Sequence, residues 1–258
     1  MAGRQWMVSE IYSALNGLQN CQEQMAQSAH NIANLTTVGF KSRHLRSSVD
    51  AGGFIGGRVA RAFSNFSQGA IQRTDIPSDL AVEGNGFFRV ESALGETLYT
   101  RSGNFTRNAQ GFLVTISGEF LMGSRGRVQI PPDADAASVG RDGVIRAMDG
   151  EGRFQPVGTL ELAIFPDESG LPSRGGGLYQ ATTVSGTPSF VQPGTGGAGY
   201  VQSGALEISN VDFAEEAVSM IFAKRSFEAN AAVIRTADDL TRLILSLRKE
   251  PTDNNAAT

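Results

Sequence analysis

Apolar residues return every three or four positions at both ends of the chain and lose that period in between. Near the C-terminus Ala217, Ile221, Phe227, Ala231, Ile234, Ala237, Leu240, Ile244 and Leu247 draw one stripe, with Lys224 filling its middle gap. The spacing predicts a helix over about 211–247, and Ser209-Asn210-Val211-Asp212 reads as its capping box. In that box the Ser209 hydroxyl accepts from the Asp212 amide and the Asp212 carboxylate reaches back. At 1.5 Å per residue such a helix is roughly 55 Å long, more than a compact domain of this size spans, so it needs a partner. Ile11, Leu15, Leu18, Met25, Ala29 and Ile32 supply one near the N-terminus, in heptad-like steps with Gln22 standing at one apolar place.

The residues between the stripes are rich in Gly, Thr, Phe and Val. The pattern therefore predicts an α+β fold in which long N- and C-terminal helices pair as a coiled-coil-like hairpin around an inserted, mainly antiparallel β-domain. The expected segments are 1–41 (helix and turn), 42–79 (extended linker), 80–200 (β-domain), 201–250 (C-terminal helix) and 251–258 (disordered tail). A plainer alternative packs both helices onto the β-domain as an ordinary α+β protein.

The first helix should stop within 31–41. Asn34 and Thr36 can bond to their own backbone, and Gly39 can turn left-handed before Phe40 returns to an apolar surface. Asn31, Asn34, Thr36, Gly39 and Phe40 are thus expected to fix the angle between helix and linker. The pattern fades over 42–68, which reads as extended chain with one short strand. Leu80-Ala81-Val82-Glu83, Gly84-Asn85-Gly86 and Phe87-Phe88-Arg89-Val90 read as strand, tight turn and strand. Short strands follow at about ten-residue spacing, too close for crossover helices, which describes an antiparallel meander or small barrel. The longest strand candidate is 158–165. Over 169–199 Gly, Pro, Ser and Thr dominate, and Leu178-Tyr179 is the obvious anchor.

A formal charge of −4, with no Lys/Arg run long enough to track phosphates, argues against a nucleic-acid partner. The single cysteine, Cys21, forms no intramolecular disulfide and reads as a small buried hydrophobe. No run of 18 apolar residues exists, so no membrane insertion is expected, and the start lacks the apolar core of a cleavable signal peptide. His30 and His44 are the two histidines, placed in the helix-ending segment and the linker, and no Cys/His cluster has metal-ligand spacing. Asp133/Asp135 and Asp238/Asp239 read as turn and solvated-helix residues. The glycine stretches 84–86 and 194–197 lack the GxxxxGK[ST] pattern and a following helix. No catalytic, cofactor or metal residue is assigned, and an enzyme is not expected. A soluble binding module working through glycine-rich loops is the competing class.

Three stretches carry a family resemblance. Residues 28–41, with Ala33-Asn34-Leu35-Thr36-Thr37-Val38-Gly39-Phe40-Lys41, resemble the helix end and turn of the bacterial flagellar rod and hook proteins. Residues 204–212 with Met220-Ile221 and 225–230 resemble that family's C-terminal signature, and 80–88, 99–103 and 111–114 its middle region. The resemblance implies a structural subunit of the basal-body rod, exported through the flagellar type III apparatus without a cleaved signal peptide. It implies helical polymerisation across the periplasm with itself and other axial proteins, and contact with ring proteins or the cell wall. The length argues against the larger hook subunit; the short segment after the turn and Ile11-Tyr12-Ser13-Ala14 favour the proximal rod member, while residues 82–88 and 209–212 are closer to the distal member, which is the alternative. Packing of Ile11, Leu15, Leu18, Met25 and Ile32 against Ile221, Phe227, Ile234 and Leu240, within or between chains, is the expected source of assembly energy. Ser209, Asn210 and Asp212 cap the C-terminal helix, and Gly39→Val is expected to spoil assembly while sparing the β-domain.

Overall fold

The computed structural model describes residues 2–47, 59–131, 134, 136–150 and 152–248. The tail expected at 251–258 and the linker residues 48–58 lie outside them, as do Asp133 and Asp135. Helices α1 (Ala2–Ala33) and α2 (Phe213–Arg248) flank a long series of short strands, so the α+β class holds. The chain divides into two units. The first, helical unit holds α1 through His30, Leu45–Arg61 and α2 from Ala214, and the β unit is built from Asn31–His44 and Ala62–Phe213.

In the β unit, strand Phe87–Glu91 sits at the centre of the largest sheet. Thr97–Thr100 pairs with one of its edges, and Phe120–Gly123 and Leu162–Ile164 share the other, all antiparallel. Successive side chains of a strand point to opposite faces, so Phe87 and Phe88 enter different cores. Phe88 packs with Leu80, Val82, Leu98, Phe105, Leu121 and Leu162, whereas Phe87 packs with Tyr99, Phe165, Leu171 and Tyr179. Leu98/Tyr99 and Leu162/Ala163 divide between the same two cores. The second core is largely aromatic: Phe66 meets Phe87 and Tyr179 edge-on at centroid distances of 5.2 and 4.9 Å, and Tyr99 meets Phe165 at 4.8 Å.

The β unit reaches beyond 80–200 on both sides. Tyr200–Ser203 pairs with Leu80–Glu83, and Ala205–Glu207 pairs with Ile71–Arg73. Where one short strand was expected in the linker, Arg43–Ser47 and Val59–Ser64 pair with each other. Over 169–199, Tyr179 is joined as an anchor by Leu171, both buried in the aromatic core. The turn at 182–185 closes on itself: Ser185 Oγ donates to the Thr182 carbonyl and accepts from the Thr182 amide, each at 2.9 Å.

Candidate functional site

The helix-ending turn is the start of a buried polar junction in the β unit. Asn31, 1% exposed, uses both ends of its amide on one residue: Nδ2 donates to the Arg43 carbonyl at 2.9 Å and Oδ1 accepts the Arg43 amide at 3.0 Å. Between them the chain reverses through bonds from the Asn34 and Leu35 amides to the Asn31 and Ile32 carbonyls. The Thr37 hydroxyl donates to Asn34 Oδ1 at 3.2 Å, and the Phe40 amide closes on the Thr37 carbonyl. Thr36 is exposed, and Phe40 is half-buried. Gly39 has φ +65°, as the turn requires, and its amide donates to the Glu207 carbonyl at 2.7 Å. A Cβ there would lie 2.4 Å from the Ser102 amide nitrogen, so the turn is pressed onto the β unit's own backbone. This packing argues against the expectation that Gly39→Val would spare the β-domain, because Gly39 is packed against that unit's own backbone.

Beyond the turn stands a charged cluster that the sequence reading did not single out. Lys41 and Glu207 are both fully buried; Lys41 Nζ donates to Glu207 Oε1 at 2.6 Å and to the Ser67 carbonyl at 2.8 Å. Glu207 Oε1 also accepts the Gly69 amide at 2.8 Å, and Arg101 Nη1 stands 3.5 Å from Oε2. Burial pushes both cations below their usual pKa ranges, opposed by the neighbouring Glu207 carboxylate. Arg101 also lies over the Phe87 ring at 5.2 Å, so the cluster borders the aromatic core.

Asn210 completes the junction. Its Oδ1 accepts the Ser42 amide at 2.7 Å, and its Nδ2 reaches the carbonyls of Asn65 and Ser67, each at 2.9 Å. It ties together segments of the β unit. The Ser209 hydroxyl accepts from the Val211 amide at 3.3 Å, and α2 begins at Phe213, two residues later than expected, which leaves Asp212 just ahead of its first turn. Ser28–Lys41, Tyr99–Gly103 and Gly204–Asp212, stretches that carry the resemblance noted in the sequence, thus supply Asn31 and Lys41, Arg101, and Glu207 and Asn210.

The Tyr179 hydroxyl bonds to Ser64, and burial drives its pKa up to about 12 from an ordinary 10. A folded pKa above the unfolded one contributes stability that is fully present below pH 10 and is lost as pH rises through about 12. A rise from 10 to about 12 corresponds to roughly 3 kcal/mol. Urea unfolding of the full chain at about pH 9 and about pH 11.5 is expected to show a steeper loss for the native sequence than for Tyr179→Phe; equal losses would mean that the hydroxyl does not resist ionisation.

The helical unit carries a candidate surface of its own. On α1 Ala14, Leu18, Cys21, Met25 and Ser28 are covered in alternating steps of four and three, with Gly17, Asn20 and Gln27 half-buried beside them. On α2 Glu216, Met220, Ala223, Phe227, Asn230, Ile234, Ala237 and Thr241 are covered in the same steps, with Ala217 and Ala231 half-buried beside them. That is the 3.5-residue period of a coiled-coil seam. At Gly17 a Cβ would lie 2.7 Å from Asn230 Nδ2, so the two helices approach closely there. Of the residues expected to pack, Leu18, Met25, Ile32, Phe227 and Ile234 are half-buried, whereas Leu15, Ile221 and Leu240 are exposed. Ile11 lies on α1 outside the side chains that the structure describes.

Among the described residues no group of His, Cys, Asp and Glu is arranged to hold a metal ion, and no helix is long and apolar enough to cross a membrane. Residues 81–147 match the flagellar hook protein FlgE/F/G D1 domain, and residues 202–247 match the C-terminal domain of the flagellar basal body rod FlgEFG proteins. Flagellar basal-body rod protein FlgG of Bacillus subtilis (strain 168) is 36% identical over 94% of this chain and 100% of its own length. FlgG of Buchnera aphidicola subsp. Baizongia pistaciae is 37% identical over 91% of the chain and 97% of its own. Flagellar basal-body rod protein FlgF of Caulobacter vibrioides is 32% identical over 92% and 96%.

Proposed function

Because the chain belongs to the family of flagellar basal-body rod and hook proteins, as a structural subunit of the rod, we propose that it polymerises helically through its terminal helices into the torque-transmitting shaft. The observation that carries this reading is the pair of 3.5-period seams on α1 and α2. Facing one another they form a coiled-coil hairpin, and the β unit is the domain inserted between its arms. The family is a structural one, and its place is the flagellum.

Partners follow from that role: other copies, further axial proteins, the type III export apparatus and the surrounding rings, with the rod crossing the periplasm. The relatives named FlgG, the distal rod protein, align over nearly the whole chain, so the preference for the proximal member is withdrawn in favour of the distal one.

Sedimentation and far-UV circular dichroism of the full chain over a wide concentration range test the proposal. Growth of large species with concentration, together with rising helix content, is the expected outcome. A chain that stays monomeric with constant helicity at every concentration would return the weight to a self-contained binding module.

A further inference from the structure

Within the helical unit one contact fixes where α1 and α2 meet. The whole Asn230 carboxamide lies over Gly17: its Nδ2, Cγ and Oδ1 stand 2.7, 3.0 and 3.1 Å from the place a Cβ would take at residue 17. Any other residue there would put its Cβ against the amide. Gly17 is thus a notch in α1, and Asn230, half-buried in the seam of α2, fills it. A glycine inside a helix weakens it, and this one leaves room for a side chain of the other helix.

In a coiled-coil hairpin the two helices run antiparallel, and counting outward from this contact brings the steps of the two seams into phase. Ser28 then faces Met220, Cys21 faces Phe227 and Ala14 faces Ile234, a small residue of α1 against a large one of α2. Between these layers Met25 faces Ala223 and Leu18 faces Asn230, with the sizes reversed. Sliding one helix by half a heptad would set Leu18 against Phe227 or Ile234 and small residues against small, which leaves gaps beside overpacked layers. Sliding by a whole heptad is different. Both seams repeat every seven residues, so small still meets large, and size alone does not tell these alignments apart. What differs is the residue under Asn230, which becomes Gln24 in one direction and Glu10 in the other. Each carries a Cβ where Gly17 has none.

We propose that Gly17 and Asn230 select the alignment of α1 on α2, as a polar peg in a glycine notch that admits one of the seven-residue offsets the seams would otherwise accept. A single polar side chain in an apolar seam has the same use in other coiled coils. The inference rests on the coiled-coil hairpin of the rod-subunit reading and adds which residues meet in it. An offset of one heptad would move α2 along α1 by about 10 Å, so copies with different offsets could not repeat the same contacts in a helical assembly.

The protein's single cysteine provides the test. Phe227→Cys places a thiol opposite Cys21 in the proposed alignment, whereas Met220→Cys and Ile234→Cys do so in the two neighbouring ones. Each full chain is oxidised with diamide over the concentration range of the sedimentation test, and the bond is located by mass spectrometry. Bond formation is expected to be at least about tenfold faster for Phe227→Cys than for the other two, because a disulfide needs its Cα atoms close. Adding Gly17→Gln, or Asn230→Ala, which removes the peg without adding bulk, should bring that ratio below about threefold while far-UV circular dichroism shows the helices kept. A ratio that stays near tenfold in both variants would overturn the proposal and leave the hairpin standing, aligned by something else. Loss of the helices in both would make the contact one of folding and overturn its role in alignment. Bonds at 220 or 234 that form faster than at 227 in the otherwise native chain would overturn the alignment itself. Chains that form no such bond at any of the three positions would show unpaired helices, and the hairpin would fall with the proposal.

Discussion

Glu207→Gln is expected to destabilise the β unit by about 3–5 kcal/mol, the range found when one partner of a buried ion pair is removed. The size of the effect follows from the charge count inside the junction. Lys41 and Arg101 are both buried against this one carboxylate, with Lys41 Nζ at 2.6 Å and Arg101 Nη1 at 3.5 Å. Neutralising Glu207 leaves two cations without an anion in direct contact, and the Gly69 amide with a weaker acceptor. Lys41→Met should cost less, on the order of 1–3 kcal/mol, because Arg101 remains to balance Glu207 while two hydrogen bonds are lost. The order of the two variants is the sharper expectation. Near-UV circular dichroism in the tyrosine band weights the β unit, since Tyr99, Tyr179 and Tyr200 lie in it, while Tyr12 and the single tryptophan, Trp6, lie on α1. If urea unfolding read in this way gave Glu207→Gln the smaller loss, the junction would not be held by its charge balance.

The same junction explains what could and could not be read from the residues alone. Lys41 and Glu207 are 166 positions apart, and Arg101 belongs to a third stretch. Periodicity reports neighbours along an element, and no local pattern joins three single charges that meet only after the sheet has closed. The strand endings show a related effect: Ile71–Arg73 and Ala205–Glu207 are three residues each and owe their existence to one another. A strand that short has no alternation to detect. Phe87-Phe88 breaks the period-two rule for the opposite reason, because both faces of its strand are covered.

The helices were legible in type and extent, and partly in phase. A reading that follows large apolar residues finds Leu18, Met25, Phe227 and Ile234, but steps over Ala14, Cys21, Ser28, Ala223 and Asn230, which fill the alternate seam positions. It then takes Leu15, Ile221 and Leu240 into the same stripe, although these lie on other faces. Small residues at a helix contact leave a weak hydrophobic signal because they work by letting backbones approach. Asn210 was expected at the start of α2 and instead binds Ser42, Asn65 and Ser67, so a polar residue ahead of a helix had a use beyond capping.

Gly39→Ala is expected to unfold the β unit at markedly lower urea than Gly95→Ala, and the comparison separates two costs that usually come together. Both glycines have positive φ, +65° and +81°. A side chain at either pays for a left-handed backbone, roughly 1–2 kcal/mol. At Gly95 a Cβ meets nothing within 4 Å, so that cost stands alone. At Gly39 it meets the Ser102 amide nitrogen at 2.4 Å and the Arg101 carbonyl carbon at 2.6 Å, backbone atoms that cannot rotate aside. Overpacking of this kind adds about 1–3 kcal/mol. Any shift that relieves it pulls on the Gly39 amide's bond to the Glu207 carbonyl and moves Arg101, which pairs with the same glutamate. The Gly39→Ala loss should therefore exceed that of Gly95→Ala by at least about 1 kcal/mol, and Gly39→Val should be worse again because a β-branched residue resists the left-handed region more strongly. Equal losses for the two alanine variants would show that Gly39 is needed for its backbone angle alone. The turn would then be free of the β unit, as the sequence reading had it, and assembly without β-unit damage would again be the outcome to look for.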